Sequence, residues 1–144
     1  MDVNQRNVTR NQSTADYSKK KVFLFDNRYD SGTLVNDSDP EATWTLQTGQ
    51  LVYRVAASTN LSLVATSNTL VGVLVLDGTV DLAANATLNV NYGTKGTING
   101  LELLDIAGGQ LVLTNAAGVA KKDALESIGL HVDTSTVELT KFDN

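Results

Sequence analysis

The chain of 144 residues has no cysteine, and only one proline, one histidine and one tryptophan. Without cysteine, disulfides and thiolate metal sites are excluded. A single histidine leaves carboxylates as the only remaining source of a metal-ligand set. The longest apolar run, residues 70–76, contains Gly72 and falls far short of the ~18 residues that a membrane helix needs. No membrane partner is therefore expected. Residues 1–21 are rich in Asn, Gln, Ser and Thr and show no apolar stretch of the signal-peptide kind. The expectation is a soluble product that stays in the compartment where it is made.

What is present is enough for one domain. A chain of this size buries roughly 68–70% of its unfolded surface and can stand without covalent staples. The net charge of −5 is unevenly spread. Residues 1–21 hold Arg6, Arg10, Lys19, Lys20 and Lys21 against Asp2 and Asp16, a net +3, which leaves −8 on the remainder. Phosphate contact relies on clustered Lys and Arg, so an acidic body argues against nucleic acid as a partner. A basic, polar tail on such a body suggests an extended arm, residues 1–21, that docks on a surface of opposite sign. Arg6, Arg10, Tyr17, Lys19, Lys20 and Lys21 are the candidate contact residues of that arm. A merely solvated terminus is the plainer alternative.

Residues 22–144 read as one β-rich domain. Lys21-Val22-Phe23-Leu24-Phe25 is a short strand or anchor. Residues 26–32 and 36–40, the latter around Pro40, have the composition of turns. Trp44 and Leu46 stand two apart and should share one face of a strand, which Gly49 ends. Strands are expected over 50–56, 61–64 and 70–76, with a tight turn at Asp77-Gly78. Residues 82–85 read as a connector or a single helical turn. Leu88, Val90 and Tyr92 should point one way from a strand over 87–92, followed by a turn at Gly93-Thr94-Lys95-Gly96-Thr97. Residues 101–106 suit a short helix or a strand, with a helical turn favoured because Asn99 can cap it, and 110–114 reads as a hairpin-like strand. The clearest helix spans 119–128, with Ala120, Ala124, Leu125 and Ile128 on one stripe and Gly129 at its C′ position. Late strands are expected at 130–132 and 137–140. The fold class is mainly β: a small antiparallel barrel or sandwich with one or two short helices and an extended N-terminal arm.

Candidates for chemistry are few, and each has a plainer explanation. His131 alternates with Leu130 and Val132, which suits a strand surface better than a general base. Asp37, Asp39 and Glu41 have the alternation of a calcium loop, but the required Gly is missing and Pro40 intervenes. Residues 93–97 lack the upstream Gly and the Gly-Lys order of a phosphate loop. Asn-x-Ser/Thr triplets at Asn7, Asn11, Asn36, Asn60 and Asn85 carry meaning only on a secretory route. Trp44, Tyr53 and Tyr92 could form a sugar-stacking platform, although core positions suit them better. No cofactor is called for, and an enzyme is the weakest reading, because no acid, base and nucleophile come together.

One resemblance gives this pattern a direction. An apolar strand, Val71-Gly72-Val73-Leu74, leads to Asp77-Gly78. A second strand over 88–92 leads to a Gly-containing segment, 96–101. A helix opening on Lys121-Lys122 then precedes Gly129-Leu130-His131-Val132. This order resembles the head decoration (cement) proteins of tailed bacteriophages, the lambda-type family, over roughly residues 51–132. The Trp-Pro pair often found before the helix in that family is absent. Residues 111–114 look inserted, and 133–144 extend past the family's usual end.

The resemblance implies a structural protein made in the host bacterial cytoplasm and carried on the outer capsid surface of the virion. Its partners would be the major capsid protein and its own copies, commonly as a homotrimer, with an arm reaching across capsid subunits. The alternative is a head-fibre base or adhesin with a carbohydrate-binding face.

Overall fold

Two strands of 13 residues organise the molecule: β1, Phe23–Val35, and β7, Thr87–Asn99. The computed structural model describes residues 21–113 and 121–134. Between the two long strands lie β2 (Trp44–Leu46), β3 (Leu51–Arg54), β4 (Leu61–Ser62), β5 (Thr69–Val75) and β6 (Val80–Leu82). A 3₁₀ turn, Gly100–Glu102, a helix α1, Lys121–Ser127, and a last strand β8, Leu130–Asp133, follow. The main sheet runs β1-β4-β3-β5-β7-β8, and β1 also pairs with β7, so β1, β4, β3, β5 and β7 close into a five-stranded barrel. β2 and β6 form a separate two-stranded ribbon. The mainly β expectation is met by a barrel. Its pairing is antiparallel except at β1–β4 and β7–β8, which are parallel.

Side-chain alternation builds two cores. The first draws on all five barrel strands through Leu34, Val52, Leu61, Leu74, Val90 and Tyr92, and so fills the barrel; Trp44, Leu46 and Leu82 of the β2–β6 ribbon join it. The second lies on the opposite face of β3, β5 and β7. There Leu51, Tyr53, Val73 and Ile98 are covered by Leu103, Leu125 of α1, and Leu130 and Val132 of β8. Along β3, Leu51 and Tyr53 thus face outward and Val52 inward. β5 keeps step by means of a bulge: Val52 pairs with Gly72 and Tyr53 with Leu70, which leaves Val71 extra. Leu70 and Val73 consequently pack on the outer core, while Val71 and Leu74 pack on the inner one.

Two segments with turn composition prove to be strand. Residues 26–32 belong to β1 and 93–97 to β7, and they meet at the pairs Arg28–Lys95 and Tyr29–Gly93. The Gly, Asn and Asp residues serve there as bulge formers rather than chain reversals. Register shifts fall between Phe23 and Phe25, Phe25 and Arg28, and Arg28 and Tyr29. Asp26 adopts a φ of 53° and Gly96 one of 114°. A Cβ on Gly96 would stand 2.7 Å from the Phe25 carbonyl oxygen, so both conformation and closeness require glycine. Asn27 Nδ2 donates to the Thr97 carbonyl at 3.2 Å, replacing a ladder bond that the bulge removes.

The remaining differences are smaller. The strand expected over 61–64 shortens to Leu61–Ser62, and the ribbon strand Val80–Leu82 precedes the turn at 83–85. Asp77-Gly78 bends the chain between two different sheets instead of closing a hairpin. Residues 110–113 form no strand; they keep only an isolated bridge between Leu104 and Gln110. The 3₁₀ turn is capped as expected, with Asn99 Oδ1 accepting from Leu101 N at 3.1 Å. Within 119–128 the described helix is Lys121–Ser127, buried through Leu125, and Gly129 follows with a φ of 107°. Thr114, Val119, Ala120 and the strand expected at 137–140 lie outside the described residues, as does the arm up to Lys20.

Candidate interaction surface

Of the six arm residues, Arg6, Arg10, Tyr17, Lys19 and Lys20 lie outside the described residues, and Lys21 is exposed. Immediately after Lys21 the chain is pinned: Val22 O accepts from Asn99 N at 2.7 Å, and Val22 packs against the outer core. The chain then enters the bulged half of the β1–β7 ribbon.

That ribbon carries an aromatic surface. Phe23 lies across Gly93, where a Cβ would come within 2.2 Å of the phenyl ring. Its ring also meets Tyr29 edge-on, with centroids 5.4 Å apart and planes at 68°. Phe25 is 41% exposed and Tyr29 53%. Arg28 and Lys95, opposite each other in register, are also exposed. Exposed aromatic and guanidinium groups are the composition that protein interfaces favour. Sequence reasoning missed Phe25 and Tyr29 as surface residues because Phe25 closes an apolar run that reads as a strand or anchor and Tyr29 sits in a stretch of turn composition. A signal was available: residues 23–29 hold two of the chain's three Phe and one of its four Tyr.

The other candidates fall into structural roles. Trp44, Tyr53 and Tyr92 are buried at 5%, 7% and 2% exposure, divided between the two cores, so they form no sugar platform. Arg54 Nη2 donates to the Tyr92 hydroxyl at 3.1 Å and Nη1 to the Thr59 carbonyl at 3.0 Å. His131 is 68% exposed and stands 3.2 Å from Glu126 at the end of α1. Asp37 accepts from the Ser62 hydroxyl, and Glu41 accepts from Asn85 Nδ2 at 3.0 Å, so both carboxylates hold loops in place. Among the described residues, no group of three or more His, Asp or Glu converges as a metal-ligand set. No helix of the described residues is long and apolar enough to cross a membrane.

The polar anchor of the opposite barrel end is Asn36, which is fully buried. Its Nδ2 donates to the carbonyls of Ala42 at 2.7 Å and Leu82 at 2.8 Å, and its Oδ1 accepts from Ser38 N at 3.1 Å. A buried amide with every atom engaged locks the 36–42 loop to β6. Comparison of the chain with protein-family models, with curated proteins and with solved structures finds no match.

Proposed function

We propose that this protein is a capsid decoration (cement) protein of a tailed bacteriophage, bound to the outer surface of the head. Residues 1–21 would bridge neighbouring copies of the major capsid protein. The observation that carries the reading is one of order and exposure: a segment of net +3 in the sequence precedes a strand on which Phe25, Arg28 and Tyr29 are exposed. The resemblance of residues 51–132 to the lambda-type family supports the same direction, and that family supplies the expectation of a homotrimer. No cofactor enters this function, and it needs no catalysis.

Cementing distributes modest energy over many contacts. Apolar contact contributes ~25 cal/mol per Å² buried. Addition of an arm to a sheet edge contributes backbone hydrogen bonds. A protomer that holds two shell subunits gains from effective concentration, so losing one attachment weakens the whole disproportionately.

Deleting residues 1–21 is expected to lower affinity for expanded heads about a hundredfold while the barrel keeps its melting temperature. Undiminished binding by the truncated chain refutes the arm's role. The copy number per major capsid subunit in purified particles tests the wider reading. A ratio near one-to-one fits cement, whereas a few per cent points to a head-fibre base or adhesin. Absence from particles rejects a virion role altogether.

A further inference from the structure

A second surface lies away from the ribbon, on the outer face of β3. A cleft of about 310 Å³ opens between β3, residues 63–65 and residues 104–106. Leu51, Leu63, Val64, Ile106 and Leu111 give it apolar walls. Its size falls at the lower end of the range for small-molecule pockets, ~300–1,000 Å³.

The polar groups at its rim divide into two kinds. The amide of Gln50 and one carboxylate oxygen of Asp105 are already engaged. Gln50 Oε1 accepts from Gln47 N at 2.8 Å, and its Nε2 donates to the carbonyls of Thr45 at 3.2 Å and Asp105 at 3.4 Å. Asp105 Oδ1 accepts from the backbone amides of Gly109 at 2.8 Å and Ala107 at 3.0 Å, which turns that oxygen into its own loop. Lys121 and Tyr53 are different. Lys121 Nζ donates to the Tyr53 hydroxyl at 3.3 Å and lies 5.7 Å from the centroid of the same ring. That contact occupies one of the three protons of the ammonium and leaves the phenolic proton available. Leu113 O, accepting from the amides of Lys121 and Lys122, fixes where this cation stands.

An ammonium and a phenol at the rim of an apolar cleft match an anionic head on an apolar body. Such a head would receive a charge-assisted hydrogen bond from Lys121 and a second bond from Tyr53. We infer that the cleft binds a small amphipathic carboxylate, with its head at Lys121 and Tyr53 and its tail between Leu63 and Leu111. This assignment is independent of the capsid role.

The test is a titration of the full-length, isotopically labelled protein with octanoate, followed by amide chemical shifts, with octylammonium as the opposite-charge control. Octanoate should saturate at millimolar concentration and shift Tyr53, Ala65, Ile106 and Lys121. Octylammonium should bind at least about tenfold more weakly. Lys121→Gln should lower octanoate affinity about tenfold and erase the discrimination, while barrel amides stay in place. Equal binding of both amphiphiles to the unaltered protein, or no saturable shift at these residues, overturns the assignment.

Discussion

The two cores share β3, β5 and β7 and differ in what encloses them. The inner core is surrounded by backbone: β1, β4, β3, β5 and β7 form a closed wall, and the β2–β6 ribbon adds Trp44, Leu46 and Leu82. The outer core is a layer on that wall, held by seven residues of α1, four of β8 and a three-residue 3₁₀ turn. Hydrogen bonds around a closed wall support one another, whereas a short helix draws its stability almost wholly from packing. A small domain can therefore keep a rigid body and still carry a layer that loosens on its own.

Truncation should separate the two most sharply. Leu74 and Leu125 are both fully buried, one in each core. Leu74→Ala should cost about 3–5 kcal/mol and lower the global urea midpoint. Leu125→Ala should cost about 2–3 kcal/mol, felt first as faster hydrogen exchange in α1 and β8 while β1 and β7 remain protected. Uniform loss of protection in Leu125→Ala would show that the cores unfold as one, and the comparison would fail.

Glycines at the wall sharpen the contrast at smaller cost. A Cβ at Gly72 would lie 2.2 Å from the Gly93 carbonyl oxygen, which belongs to backbone and cannot step aside. A Cβ at Gly93 would instead strike the Phe23 ring on the outer side, and that ring can swing. Thermal melts should place Gly72→Ala about 2–3 kcal/mol below the parent and Gly93→Ala about 1–2 kcal/mol below it. A reversed order would mean that Phe23 is held more firmly than the inner wall.

The smallest effect is expected at the outermost contact. His131 and Glu126 sit 3.2 Å apart with side chains 68% and 34% exposed. His131→Ala should change stability by no more than about 0.5 kcal/mol, because solvent screens such pairs. A larger loss in a urea melt would assign the pair a structural role in joining α1 to β8.

The regular halves of the strands were legible from the residues alone. Leu88, Val90 and Tyr92 alternate cleanly, as do Trp44 and Leu46, because each has one buried and one exposed face. The same rule fails at residues 70–74, where the Val71 bulge breaks the alternation and Val71 and Leu74, three apart, both pack on the inner core. It fails again at 26–32 and 93–97, where the residues that favour turns also favour bulges. Local composition reports that the backbone departs from regular geometry, and the partner strand decides whether the departure reverses the chain. The parallel pairing of β8 had no local signal, since register across α1 depends on packing. As for the candidate site, the arm was visible through charge, whereas Tyr29 was concealed by Asp26, Asn27, Asp30 and Ser31 around it and Phe25 by an apolar run that reads as a strand or anchor. The cleft was not legible, because its walls come from segments spread between Gln50 and Lys121.

The registers of β7 have a consequence for how the body can be cut and rejoined. Phe23 pairs with Ile98 on one side of β7, and Val132 pairs with the same Ile98 on the other. The first and last strands of Val22–Thr134 therefore have their outer ends side by side, separated only by the width of one strand, on the order of 10 Å across two ladder spacings. Circular permutation is open to such a body: a short Gly-Ser bridge can join Thr134 to Val22, with new termini placed at the exposed Gly78 bend. The permuted barrel would keep every strand pair, with cargo fused at the Gly78 bend.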